Sequence, residues 1–151
     1  MKTKTTFLCL LSVLFLAAHL RAASPPLNIS ITASDTMKYS VTKIEAKPGQ
    51  KVVVELTNQG NLPKTAMGHN WILLKAGSDP LAYATAGMKA KAENYQPRSL
   101  ASEVITSIAL LGPKESGRTS FTAPSTPGSY PFLCSFPAHY QTGMRGVLIV
   151  K

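Results

Sequence analysis

Tyr130-Pro-Phe-Leu-Cys134-Ser-Phe-Pro-Ala-His139-Tyr-Gln-Thr-Gly-Met144-Arg-Gly146 places a thiol, an imidazole and a thioether within eleven residues. An apolar, aromatic run leads into Cys134, and Val147-Leu-Ile-Val150 leads out of the segment. Two β-prone runs around a Pro- and Gly-bearing stretch predict strand, loop, strand, with the three side chains on the loop. A second imidazole, His69, stands far upstream in Met67-Gly-His-Asn-Trp71, where it opens the apolar run Trp71-Ile-Leu-Leu74.

The rest of the chain reads as a scaffold for these segments. Residues 27–33 alternate apolar and polar side chains, the pattern of a half-buried strand. Tyr39, Val41 and Ile44 fall in a second extended stretch, and Lys47-Pro-Gly-Gln50 is a turn. Residues 52–57 are rich in β-branched side chains, and residues 58–63 form a polar loop. Residues 76–100 differ: Ala82, Ala84, Ala86, Ala90 and Ala92 with few β-branched neighbours predict a short helix or two in a surface excursion. Strands are again expected over 104–111, 118–122, 129–133 and 147–151, separated by Gly/Pro turns. Short strands at this spacing predict an all-β, Greek-key β-sandwich of about eight strands with a short helical flap.

The first residues stand outside that plan. Lys2 and Lys4 precede an apolar run over 7–20, and Arg21-Ala-Ala-Ser follows, so residues 1–23 read as a secretory signal peptide and 24–151 as one domain. The apolar run is shorter than the roughly 20 residues a membrane span needs. The expected location is the periplasm, and an uncleaved leader would instead tie the chain to the membrane. Lys2, Lys4 and Arg21 leave with the leader, so the net charge falls from +9 to about +6. The remaining basic residues are scattered, without the Arg-rich, aromatic-interleaved run that nucleic-acid binding favours. A basic surface of this kind suits an acidic redox partner or an anionic lipid surface.

Of 2 cysteines and 3 histidines, Cys9 and His19 fall in the leader. The mature chain keeps Cys134, His69 and His139, all within the two quoted segments. A lone cysteine in an oxidising compartment is a liability unless used or buried. Two imidazoles, one thiolate and one thioether are the donor set of a mononuclear type 1 copper site. His69, Cys134 and His139 are the expected strong ligands and Met144 the weak axial one. Pro137 stiffens the loop, and Asn70 is placed to tie the two ligand segments together. Trp71 is expected in the core. Met67, Phe136, Pro137, Ala138 and Tyr140 would form an apolar rim around His139 on which redox proteins such as cytochromes could dock.

With these residues in view, the chain resembles the azurin-like branch of the cupredoxins. Residues 60–74 are very similar to the azurin segment around its first copper histidine, and Cys134-Ser-Phe-Pro-Ala-His139 to the azurin Cys-Thr-Phe-Pro-Gly-His loop. The resemblance extends more loosely from about residue 27 to 151. It implies an eight-stranded sandwich with a helical flap, one type 1 copper, one-electron shuttling between larger redox proteins, and a distant contact from the Gly68 carbonyl. His139-x4-Met144 departs from the azurin spacing and is similar to that of auracyanins and plastocyanins. Ala138 stands where glycine is usual, a small change on the docking rim. The azurin disulfide is impossible with one mature cysteine.

Two other function classes fit less well. A copper chaperone or store is the alternative, but Met37 and Met88 form no cluster with the motifs. A copper oxidase or nitrite reductase would need further histidines for a second metal centre, so the chain is not expected to be an enzyme or to take a small-molecule substrate.

Overall fold

The computed structural model describes residues 24–151. The leader expected over residues 1–23 lies outside them. Eight strands form two sheets: β1 (Leu27–Ala33), β3 (Lys51–Asn58) and β6 (Ser116–Thr122) in one, and β2 (Lys43–Ala46), β8 (Arg145–Val150), β7 (Gly128–Leu133), β4 (His69–Leu74) and β5 (Val104–Leu111) in the other, each in that spatial order. β1 pairs with β3 and β2 with β8 in parallel; the remaining pairs are antiparallel. The expected all-β sandwich of eight strands is therefore present. Tyr39 belongs to no strand and makes only an isolated bridge to Ala33.

Two apolar cores account for the burial pattern. Trp71 and Leu73 point between the sheets with Val52, Val54, Leu56, Phe132 and Leu148. Ile72 and Leu74 point the other way, against Tyr83, Ala84, Leu133 and Tyr140. β4 is consequently buried on both faces along its whole length. That explains why residues 71–74 form an unbroken apolar run where a half-buried strand would alternate. Each such side chain contributes roughly 1.5–3 kcal/mol by leaving water.

The cover on the second core is the excursion over residues 76–103. Asp79 caps α2 (Pro80–Met88), accepting from the Leu81 N–H at 2.8 Å and the Ala82 N–H at 3.2 Å, with Pro80 in the first helical position. Two 3-10 turns follow, Lys91–Glu93 and Arg98–Glu103. Gly87 lets the end of α2 approach the loop after β7: a Cβ there would lie 2.8 Å from the Tyr95 carbonyl oxygen and 3.1 Å from Ser135 Cβ. Asn94 and Tyr95 both take positive φ, 53° and 61°, turning the chain back under that loop. A single helical turn, α1 (Lys64–Met67), stands within the loop before β4.

The topology puts one end of β4 and one end of β7 side by side. Their register pairs Ile72 with Leu133 and Leu73 with Phe132. Carried two residues further, the same register sets Asn70 opposite Ser135. β7 and β8 pair Leu133 with Arg145, and the Cys134 N–H donates to the Met144 carbonyl at 3.0 Å, which closes the base of the intervening loop.

Candidate metal centre

His69 begins β4, Cys134 follows the last residue of β7, and His139 lies in the turn between β7 and β8. Their donor atoms, one from each residue, lie within 4.8 Å of one another, and all three residues are buried. The two Nδ1 atoms are 3.2 Å apart, and His139 Nδ1 is 3.5 Å from Cys134 Sγ. Met144 is fully buried, and its N–H donates to the His139 carbonyl at 2.9 Å. The backbone thus fastens Met144 to Cys134 and His139, the two loop residues that contribute donors. Gly68 ends α1 in an extended conformation, immediately before His69.

A hydrogen-bond network holds the two segments in this relation. Asn70 Nδ2 donates to Ser135 Oγ at 2.9 Å, and the Ser135 N–H donates to Asn70 Oδ1 at 2.9 Å. Ser135 Oγ in turn donates to the Tyr95 carbonyl at 2.5 Å. The Tyr39 hydroxyl donates to the Asn70 carbonyl. Tyr95 meets Phe136 edge to face with ring centroids 4.8 Å apart, and Phe136 lies 4.7 Å from the His139 ring. The expected role of Asn70 in joining the segments is borne out. The anchoring of the loop to the flap through Tyr95 had no signal in the sequence beyond the unassigned excursion itself.

Burial sets the protonation of the donors where they meet. Burial pushes the Cys134 thiol up to about 12, although the backbone N–H groups of Asn70 and Phe136 act to lower it. Burial pulls His139 down to about 4, and the neighbouring His69 adds to that. Burial also lowers His69, against the Ser34 carbonyl and the Asp35 carboxylate; its Nε2 has no aligned hydrogen-bond partner. Two neutral imidazoles turn Nδ1 toward each other beside a thiol that a bound metal would have to deprotonate. Metal–imidazole bonds of about 2 Å would span the nitrogen separation at a roughly tetrahedral angle. Borderline nitrogen with soft sulfur donors suits copper in both of its common oxidation states. The residues fit the metal.

Comparison with known proteins agrees. Residues 27–151 match the family described as copper binding proteins, plastocyanin/azurin family. The chain belongs to that family. It is 34% identical over 127 residues to the azurin of Pseudomonas chlororaphis, covering 82% of this chain and 98% of that protein. It is 30% identical over 129 residues to auracyanin-B of Chloroflexus aurantiacus, covering 84% of this chain and 53% of the longer relative. Among solved structures, dithionite-reduced auracyanin from Roseiflexus castenholzii superposes with a TM-score of 0.73 at 31% identity, over 85% of this chain and 98% of that one.

Within this plastocyanin/azurin frame the expected rim needs revision. Phe136 and Tyr140 are 7% and 8% exposed, and His139 is only 2% exposed. Phe136 packs under Tyr95, and Tyr140 joins the core beneath α2. Met67 and Pro137 are half-buried and Ala138 is exposed. Leu62, 45% exposed on the loop before α1, is an apolar surface residue the sequence reading missed. Ala138 is more than a rim substitution. Phe136-Pro137-Ala138-His139 closes with a 3.1 Å bond from the His139 N–H to the Phe136 carbonyl, and Ala138 has φ of 68°. Pro then positive φ is the pattern of a type II turn, whose third position favours glycine.

Proposed function

We propose that the chain is an exported one-electron carrier. His69 Nδ1, Cys134 Sγ and His139 Nδ1 would hold one type 1 copper ion, with the Met144 thioether as a weaker donor and the Gly68 carbonyl as a candidate further contact. The observation that carries this reading is the meeting of three such donors within 4.8 Å, in a site closed to water. Copper bound there supplies a Cu(II)/Cu(I) couple.

The protein's part is to keep the donors in one arrangement through both states. The clasp between Asn70 and Ser135 fixes β4 against the residue after Cys134, and the Cys134–Met144 backbone bond fixes the loop's base. The Asn70 and Phe136 N–H groups stabilise negative charge on the sulfur. Phe136 and Tyr140 fill space that water would occupy. The half-buried Pro137 and exposed Ala138 precede His139 in its turn, and the His139 edge is the route for electrons to and from a redox protein such as a cytochrome. Residues 1–23 serve as the export signal, and residues 24–151 are the working unit in the periplasm.

The deciding experiment is the visible spectrum of the Cu(II)-loaded protein beside Cys134→Ser. An intense thiolate-to-copper charge-transfer band, bleached by reductant, restored by oxidant and absent from the mutant, supports the reading. A weak spectrum unchanged by losing Cys134 would refute it.

A further inference from the structure

The end of the sandwich that bears the site is unevenly charged. Lys38, Lys89, Lys91 and Lys114 are exposed there. Lys38 donates to the Thr142 carbonyl of the ligand loop, and Lys114 to the Gln59 carbonyl at 2.7 Å. Lys89 and Lys91 lie within the stretch from Gly87 to Tyr95, whose two ends pack on Ser135 and Phe136. Among the described residues none of these four has a carboxylate within ion-pair distance.

The carboxylates of the same end are tied down. Asp35 accepts the N–H groups of Asn61 at 2.9 Å and Leu62 at 3.4 Å. Glu93 accepts the Arg98 N–H at 2.6 Å. Glu115 accepts the Gly112 N–H at 2.7 Å and pairs with Lys64 at 3.1 Å. Apolar side chains on the segments that lead to His69 and His139 also reach the surface at this end: Leu62 and Ala138 are exposed, and Met67 and Pro137 are half-buried.

We propose that this face docks an acidic redox protein, one whose own electron-transfer edge is apolar and rimmed with carboxylates. The proposal rests on the electron-carrier reading and adds the partner's chemistry to it. The lysines, Lys38 and Lys114 held by backbone carbonyls, supply long-range attraction and orientation. Uncharged Pro137 and Ala138, which precede His139 in the chain, permit close approach on its side. An anionic lipid surface would also attract the lysines, but it would cover the His139 edge and exclude a donor, so the protein partner is the better fit.

The test is stopped-flow electron exchange of the copper-loaded protein with an acidic and a basic c-type cytochrome across ionic strength. A site-end variant, K38Q/K89Q/K91Q/K114Q, is compared with a far-end variant of equal charge change, K47Q/K51Q/K75Q/K151Q. We expect the acidic cytochrome to react faster, and the site-end variant to slow it roughly ten- to a hundred-fold at low salt. The far-end variant should change it by less than about two-fold, and all differences should close at high salt. Equal slowing by both variants, or faster reaction with the basic cytochrome, would overturn the proposal. So would salt-independent exchange combined with lysine-dependent sedimentation on anionic phospholipid vesicles, which would assign the face to a membrane. Reduction by a neutral hydroquinone is the separate control. If that fails in the parent protein, the carrier reading falls; if it succeeds in every variant, only the docking chemistry is at stake.

Discussion

Asn70 and Ser135 clasp each other through two hydrogen bonds of 2.9 Å, side chain to side chain and backbone N–H to side chain. Both residues are buried, at 0% and 1% exposure, so neither can exchange its partner for water. Asn70→Ala would strand the Ser135 N–H, and we expect a loss of about 2–4 kcal/mol in chemical denaturation. Ser135→Ala leaves its N–H bond to Asn70 intact and should cost about 1–2 kcal/mol. A double-mutant cycle should return a coupling of at least about 0.5 kcal/mol. Strictly additive losses would show that the bond between the two side chains has no energetic role of its own.

Gly87 tests the docking of the flap. A methyl group there would sit 2.8 Å from the Tyr95 carbonyl oxygen, a backbone atom that cannot swing aside. The same carbonyl accepts from Ser135 Oγ. Gly87→Ala gains helix propensity, worth up to about 1 kcal/mol, yet should destabilise the protein by about 1–3 kcal/mol through overpacking. Because Tyr95 supports Ser135 and Phe136, the visible spectrum of the copper-loaded protein should shift as well. A variant more stable than the parent would mean that the helix end moves freely from the loop.

The strands were largely legible because their signals are local: alternation over residues 27–33, β-branched runs over 52–57 and 104–111, and turns marked by Gly and Pro. The donor set was legible because the Cys and His residues of 24–151 all fall in two segments. What was hidden depends on tertiary placement. Nothing in residues 27–33 says that their neighbour is β3, in parallel. Lys64–Met67 is four residues long with no side-chain cap, too short for a periodic signal. Phe136 and Tyr140 read as a docking rim in the sequence, and it is the packing of Tyr95 and Tyr83 that makes them core. The Pro137–Ala138 pair did carry a local signal, since Pro at the second position of a turn invites positive φ at the third.

Alkaline pH should weaken the fold through two buried tyrosines. Burial, helped by Glu103, raises Tyr83 to about 12; burial raises Tyr39 well above its usual value, and Cys134 adds to this. A raised folded-state pKa means the native protein holds its proton where the unfolded chain has lost it. The stabilisation is therefore complete below about pH 10 and is lost as pH rises from there toward 12. For Tyr83 the loss approaches about 2–3 kcal/mol. Urea midpoints at pH 9 and pH 11.5 should converge in Tyr83→Phe relative to the parent. An unchanged pH dependence in that variant would place the alkaline sensitivity elsewhere.

The turn at Ala138 sets a rank order that packing would not predict. Ala138 is exposed, so its side chain contacts little, yet its φ of 68° belongs to the left-handed region. Holding an alanine there costs roughly 1–2 kcal/mol. Glycine removes that cost but gives the unfolded chain more freedom, worth about 0.4–1 kcal/mol. Ala138→Gly should thus be more stable than the parent by about 0.5 kcal/mol. Ala138→Val, with a β-branched side chain at positive φ, should be less stable by at least about 1 kcal/mol. The stability order Gly above Ala above Val, measured by thermal unfolding of the metal-free proteins, isolates the backbone from the metal. If valine matches alanine, the turn does not require the left-handed residue. If the order holds, the parent carries strain beside His139 that one methyl group imposes.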